Sequence, residues 1–288
     1  MYLKSVEKNN ITYSVDMLRL RTDITYEKYT EIEFRFKTVW QEYISKYYIS
    51  NKISQFKYNY SIEIEEGKNF WFGFLHNSEA YSTSDSANYN LTVEFNPNKI
   101  QDSKFVTYLL NCSRDWCIKS VDVAFDVPVS ILDICYDKMR KREIKIISNG
   151  FDNKTIYIGK CDGRIKIYNK KIESDLDITG ELTRIEVSYD LNNFPTRRLT
   201  GYKFKGVLPE LYTNDFLYTF ETYKDKTLFA ILYAVQSGFD ISYLSRSYKQ
   251  KLKSMIKGSH QLKLDKDCVQ HVIRQTVVYY AVKANIMV

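Results

Sequence analysis

Stretch after stretch of this chain alternates apolar and polar residues with a period of two, and little interrupts the alternation. Only 10 glycines and 4 prolines punctuate 288 residues, against 25 tyrosines and 16 phenylalanines. Few breakers and many aromatic or β-branched residues favour long regular strands over a loop-rich architecture. Strands are expected at 11–22, 58–66, 70–76, 90–97, 117–127, 143–149, 155–160, 164–170 and 182–191. Apolar residues at three- and four-residue spacing predict helices around 36–48, over 98–111 and over 129–142, the last entered behind Pro128 and Ser130.

The pattern begins again near residue 117. SVDMLRL (14–20) parallels SVDVAFD (120–126), FWFGFL (70–75) parallels TIYIGK (155–160), and LTVEFNPN (91–98) parallels TRIEVSYDLN (183–192). The expectation is an α+β fold. Its antiparallel sheet is built from two related strand–helix–multistrand halves, about 11–111 and 117–191, within a domain spanning 1–204. Chance likeness between short strand motifs is the competing explanation. From 205 to 288 the composition turns helical, with helices expected at 216–238, 242–258 and 268–288. The valine-rich last one is ambiguous with a strand.

Composition excludes several classes. With 44% hydrophobic and 27% charged residues the chain reads as an ordinary globular protein. MYLKSVEKNN has no apolar signal-peptide core and no apolar run approaches a membrane span, so a cytoplasmic protein without a membrane partner is expected. The five cysteines lack paired metal-ligand spacing. No phosphate-cradling glycine loop is present, and the three histidines form no His-x-His metal pair. The net charge of +7 suits a polyanionic partner without requiring one.

Period-two geometry decides which side chains share a face. Asp122, Ala124 and Asp126 point one way from their strand; Arg164, Lys166, Tyr168 and Lys170 share a face of theirs, as do Arg184, Glu186 and Ser188. If these strands are neighbours, acids, bases and one tyrosine collect on a single side of the sheet. For any one strand the same pattern describes the wet side of an antiparallel sheet.

Read in order, VDML (15–18), VDVAFD (121–126), TIYIG (155–159), RIKIYNKKIE (164–173) and RIEVSYD (184–190) resemble the signature of the replication initiation factor family (Rep_trans). That signature runs D-[WY]-L, D-x-A-x-D, T-x-Y-x-G, R-x-Y-[DN]-K followed by E, and R-x-E-[LV]. The resemblance spans about 11–191, with Met17 standing where an aromatic is commoner. It implies a plasmid rolling-circle replication initiator. Such a protein binds its origin and nicks one strand through a tyrosine, leaving a 5′-phosphotyrosine link and a 3′-OH primer. Tyr168 takes the nucleophile's position, with Lys166, Lys170 and Arg164 as neighbouring cations that would lower its pKa. Asp122, Asp126, Glu186 and Glu173 match acidic positions near a site for Mg2+ or Mn2+. The implied partners are double-stranded origin DNA, the single-stranded nicked strand, a host helicase and a second copy of the chain as a homodimer. For origin contact, Arg246, Lys249, Lys251, Lys253 and Lys257 form one basic stretch, and Arg197 and Arg198 lie in another. Each equally describes a solvated surface. The rival readings are a relaxase of a mobile element and an origin-binding protein that does not cut.

Overall fold

The computed structural model describes residues 5–43, 46–49, 58–64, 68–76, 89–136, 143–149, 153–160, 163–174, 180–213, 226–236, 243–258 and 260–284. The order of elements is β1 (Val6–Lys8), β2 (Ile11–Ile24), α1 (Tyr26–Thr38), a 3-10 turn at Trp40–Tyr43, β3 (Lys46–Ile49), β4 (Tyr58–Glu63), β5 (Asn69–His76), β6 (Tyr89–Phe95), α2 (Lys104–Leu110), β7 (Cys117–Val127), a 3-10 turn at Ile131–Asp133, β8 (Ile134–Tyr136), β9 (Ile144–Ser148), β10 (Lys154–Ile158), β11 (Ile165–Asn169), α3 (Lys170–Ser174), β12 (Thr183–Pro195), a 3-10 turn at Thr196–Gly201, β13 (Leu211–Thr213), α4 (Lys226–Gln236), α5 (Arg246–Gly258), β14 (His260–Gln261) and α6 (Lys266–Lys283).

The fold is α+β. Among the described residues one antiparallel sheet runs β3-β4-β5-β6-β2-β7-β12-β11-β10-β9, with β1 added to β2. The order reads alike from both ends. A long strand (β2 or β7) is followed by a four-stranded meander whose last strand (β6 or β12) returns to pair with it, and β2 and β7 join at the centre. Two of the sequence parallels fall on strands equivalent under this symmetry, β2 with β7 and β6 with β12. The third is displaced by one strand, because FWFGFL lies on β5, whose counterpart is β11, whereas TIYIGK lies on β10.

The apolar side of the sheet is dressed by helices. Tyr29, Ile32 and Phe36 of α1 are buried; Phe36 meets Phe72 edge-on at 5.3 Å, and Tyr29 meets Phe74 at 4.9 Å. Phe105 of α2 joins the same aromatic cluster, and Tyr280 of α6 packs on Phe95 at 4.8 Å. Val269, Val272, Ile273 and Val277 of α6 belong to the same core as Val123 and Phe125 of β7. α6 is a helix despite its valines, because buried positions recur at helical spacing and Asp265 caps its first turn by accepting from the amides of Asp267 and Cys268.

The structure departs from the periodicity of the sequence in two places. The helix expected at 36–48 starts ten residues earlier, where Thr25 caps it by accepting from the Lys28 amide; Lys46–Ile49 is instead recruited as an edge strand against β4. The helix expected at 129–142 is a single 3-10 turn capped by Ser130, followed by β8, which pairs with β13; residues 137–142 lie outside the described set. No helix among the described residues is long and apolar enough to cross a membrane.

Candidate active site on the polar face of the sheet

The opposite face of the central strands carries a cleft of about 350 Å³. Its floor is a cross-strand row, Thr12–Asp126–Arg184–Tyr168, beside a second row, Ser14–Ala124–Glu186–Lys166. The rim is formed by Asn96, Asn98 and Lys99 after β6 and by Lys170 and Glu173 of α3. The cleft therefore straddles the junction of β2 with β7, and both halves of the sheet contribute to it.

Tyr168 is 4% exposed, and its hydroxyl donates to Glu186 Oε1 at 2.5 Å. The Lys166 ammonium lies 4.1 Å from the Tyr168 ring centroid and 3.3 Å from Glu186 Oε2, while Lys170 stands 5.8 Å from the same ring. The cations were expected to lower the phenol's pKa. The structure reverses that direction: burial and the Glu186 carboxylate push it well above its ordinary value. Glu186 is itself raised, by burial and then by the nearby charge of Asp16. A neutral phenol beside a carboxylate that binds protons more tightly than usual can pass its proton to that carboxylate.

Arg184 sits across from Tyr168 in the ladder and is held from two sides. Its Nε and Nη2 donate to the two oxygens of Asp126, both at 2.6 Å, and its Nη1 donates to Asp16 at 3.0 Å. Burial disfavours the cation, but Asp126 outweighs it and keeps the guanidinium firmly protonated. Three of a guanidinium's five N–H donors are thereby committed, which leaves two that can be offered to an anion in the cleft.

The other expected residues divide. Glu173 is in the rim, 2.5 Å from Lys170, whose charge holds its carboxyl below the usual range against the effect of burial. Asp122 shares the polar face but lies beyond the cleft, four residues along β7 from Asp126, or about 13 Å; burial raises its pKa and Ser188 donates to it. Arg164, at the far end of β11, is near Asp122 rather than Tyr168. Arg197 pairs with Asp115 at 3.1 Å on the surface, and Arg198 is exposed beside it. Arg246, Lys249 and Lys251 lie on α5; Arg246 and Lys251 are exposed, Lys249 is half-buried, and Lys251 is near the Tyr248 ring, while the side chains of Lys253 and Lys257 lie outside the described set.

Asp16 escaped the sequence reading of the site, although VDML contains it. The register of β2 against β7 shifts between Val15 and Met17. This bulge inserts an extra residue, so Asp16 and Met17 both leave the core between buried Val15 and Leu18. Alternation from Thr12 and Ser14 already puts Asp16 on the polar face, and the bulge adds Met17 beside it. Asn96 and Asn98 escaped the sequence reading as well: Asn96 donates to Asp16 at 3.1 Å and Asn98 to the Val15 carbonyl at 2.8 Å, which docks the turn after β6 onto the bulge.

A metal site can be assessed from the donors. No three His, Cys, Asp or Glu among the described residues converge as a protein cage. Asp126 is engaged by Arg184 and Glu173 by Lys170. Asp16 and Glu186 also face the cleft: Asp16 accepts from Arg184 and Asn96 through Oδ1, Glu186 accepts from Tyr168 and Lys166, and burial followed by the Asp16 charge raises the Glu186 carboxyl. A carboxylate completed by water and phosphate oxygens suits a hard cation such as Mg2+ or Mn2+.

No family model matches the chain, and no curated protein matches it. Among solved structures it is similar to a rolling circle replication initiator protein from Geobacillus stearothermophilus, at 14% identity and a TM-score of 0.35, over 64% of this chain and 76% of that one.

Proposed function

We propose that this protein is a rolling-circle replication initiator that cuts one strand of its origin through Tyr168. One observation carries the reading: a buried phenol is hydrogen-bonded to a carboxylate of raised pKa, beneath a lysine and opposite a clamped arginine. The arrangement suits in-line attack on a phosphodiester. As the Tyr168 oxygen bonds to phosphorus, its proton passes to Glu186 and the bond to the 3′ oxygen breaks. That oxygen takes a proton from water and becomes a 3′-OH, while the 5′ phosphate stays esterified to the tyrosine. Exchanging one ester for another conserves the bond for later strand closure. Arg184, with its two uncommitted donors, and Lys166 neutralise charge on the equatorial oxygens. A divalent cation held by Asp16, its shell completed by water and phosphate oxygens, would polarise the phosphate and offset the same charge.

The test uses supercoiled plasmid carrying the reading frame and the DNA upstream of it, incubated with the full chain and Mn2+. Wild type should produce an open circle with covalently attached protein, and Tyr168→Phe should produce neither. Nicking by both would remove Tyr168 from the reaction. Of the other tyrosines weighed, Tyr189 faces the core and is 3% exposed, whereas Tyr157 shares the polar face opposite Lys166. Binding without nicking by either protein would favour an origin-binding module that does not cut. Origin recognition by Arg246, Lys249, Lys251, Lys253 and Lys257, a homodimer and a host helicase partner belong to the same proposal.

A further inference from the structure

The polar face does not end at the cleft. Along β2, Leu18 and Leu20 turn into the core, so Arg19 and Arg21 project from the same side as Asp126 and Tyr168. The register shifts again between Arg19 and Leu20, and on β7 both Lys119 and Ser120 fall between buried Ile118 and Val121. The irregularity turns Lys119 out beside the two arginines. Arg19 has a counter-ion in Glu94. Arg21 and Lys119 form no ion pair among the described residues, and only Asp190 offers Lys119 a distant attraction. Burial and repulsion from Arg19 and Arg21 lower the pKa of Lys119, a cost that a bound anion would relieve. Trp71 alternates with core-facing Phe70 and Phe72 and so lies on this same side, in the cross-strand row Trp71–Glu94–Arg19–Ser120.

We infer that Arg21 and Lys119, with Arg19 beside them, hold the phosphodiester backbone of a single DNA strand running across the sheet from the Tyr168 cleft, with Trp71 as a stacking surface for one of its bases. Cations beside a half-buried aromatic on one sheet face are elements of the kind by which single strands are bound without regard to sequence. From the Asp126 row to the Ser120 row is six residues of β7, about 20 Å, or roughly six stacked nucleotides. The strip therefore addresses DNA well removed from the scissile phosphate. The choice of DNA as ligand rests on the nicking reading; the geometry of the strip does not.

The test is fluorescence anisotropy of a labelled 12-nucleotide single strand and of the matching duplex, titrated with the full chain across a range of salt. Arg21→Gln/Lys119→Gln should bind the single strand about tenfold more weakly. It should also lower the slope of log affinity against log salt by about 1.4, the loss of two phosphate contacts. Arg21→Lys/Lys119→Arg should restore both, which separates charge from folding. Trp71→Phe should retain more affinity than Trp71→Ala. An unchanged slope in the glutamine variant, loss confined to the duplex, or a wild-type chain that ignores the single strand would each overturn the inference. Should wild type nick while the glutamine variant binds as well as wild type, the strip fails and the nicking reading survives. Should the variant lose single-strand affinity in a protein that never nicks, the strip stands and the nicking reading fails.

Discussion

Tyr168 and Glu186 are diagonal neighbours across β11 and β12: Tyr168 is registered against Arg184 and Glu186 against Lys166, and the 2.5 Å hydrogen bond runs between the two pairs. Diagonal reach of this kind is available to long side chains in an antiparallel ladder. In the proposed reaction it would let Glu186 receive the phenol's proton while a different residue, Arg184, faces the phosphate. Glu186→Gln should preserve the fold and reduce nicking by about 10²- to 10⁴-fold, the usual worth of a general base. Single-turnover rates against pH should lose the limb that rises with Glu186 ionisation.

The same substitution has a stability signature. The Glu186 carboxyl binds its proton more tightly folded than unfolded. The native state therefore carries the extra proton, and stability falls as pH rises from about 4 through the raised value. Glutamine has no such dependence. Urea midpoints measured at several pH values should show the variant gaining on wild type across that window, less what Lys166 loses with its partner.

Arg184 joins the halves of the sheet electrostatically, with Asp16 from β2 on one side and Asp126 from β7 on the other. All three side chains are less than one-fifth exposed. Arg184→Ala leaves two carboxylates facing each other without compensation, and breaking a buried ion pair in this way costs about 3 kcal/mol or more. Adding Asp126→Asn should recover part of that loss, a coupling that a double-mutant cycle by urea unfolding measures directly.

Period-two patterning was enough to find nine strands of the large sheet, the shared polar face and the residues Tyr168, Lys166, Arg184, Glu186 and Asp126, because regular antiparallel pairing preserves alternation. It failed where the ladder is irregular. Met17 was turned out beside Asp16 by one register shift, and Lys119 left the core at a second. It failed too where tertiary pairing outweighed local spacing. Lys46–Ile49 has aromatics at helical intervals with its neighbours, yet it is taken up by the edge of β4. The pKa direction at Tyr168 needed depth as well as neighbours: nearby lysines were legible, burial beside a carboxylate was not.

Ala124 shows what a small residue contributes here. It is registered against Ser14 on one side and Glu186 on the other, faces the polar side and is fully buried. Cross-strand β-carbons are about 5 Å apart, so a branched side chain would occupy the space beside the Glu186 stem. Ala124→Val should cost about 1–3 kcal/mol by overpacking. It should also lower the nicking rate at saturating DNA more than it weakens DNA binding, because it moves the base from the phenol. Ala124→Gly, which adds no volume, should keep more of that rate than Ala124→Val does.

The C-terminal helix supports the cleft from behind. Tyr280 of α6, buried against Phe95, has its hydroxyl on the Ile100 carbonyl and 3.0 Å from that of Pro97. Tyr279 donates to the Gln101 carbonyl at 3.1 Å, and Lys283 reaches Gln101 and Asp102. These contacts fix the segment that begins with Asn96, Asn98 and Lys99 at the cleft rim. Tyr280→Phe keeps the ring packing and removes only the hydroxyl, leaving buried carbonyls without that partner. It should cost about 1 kcal/mol, read as a lowered urea midpoint with an unchanged slope. Asn96 anchors Asp16, which in turn holds Arg184. Slack in this turn should therefore reach the phosphate clamp, and the variant should need more DNA to saturate nicking while its rate at saturation stays close to wild type. Equal DNA requirements in the two proteins would show that the turn holds its place without α6.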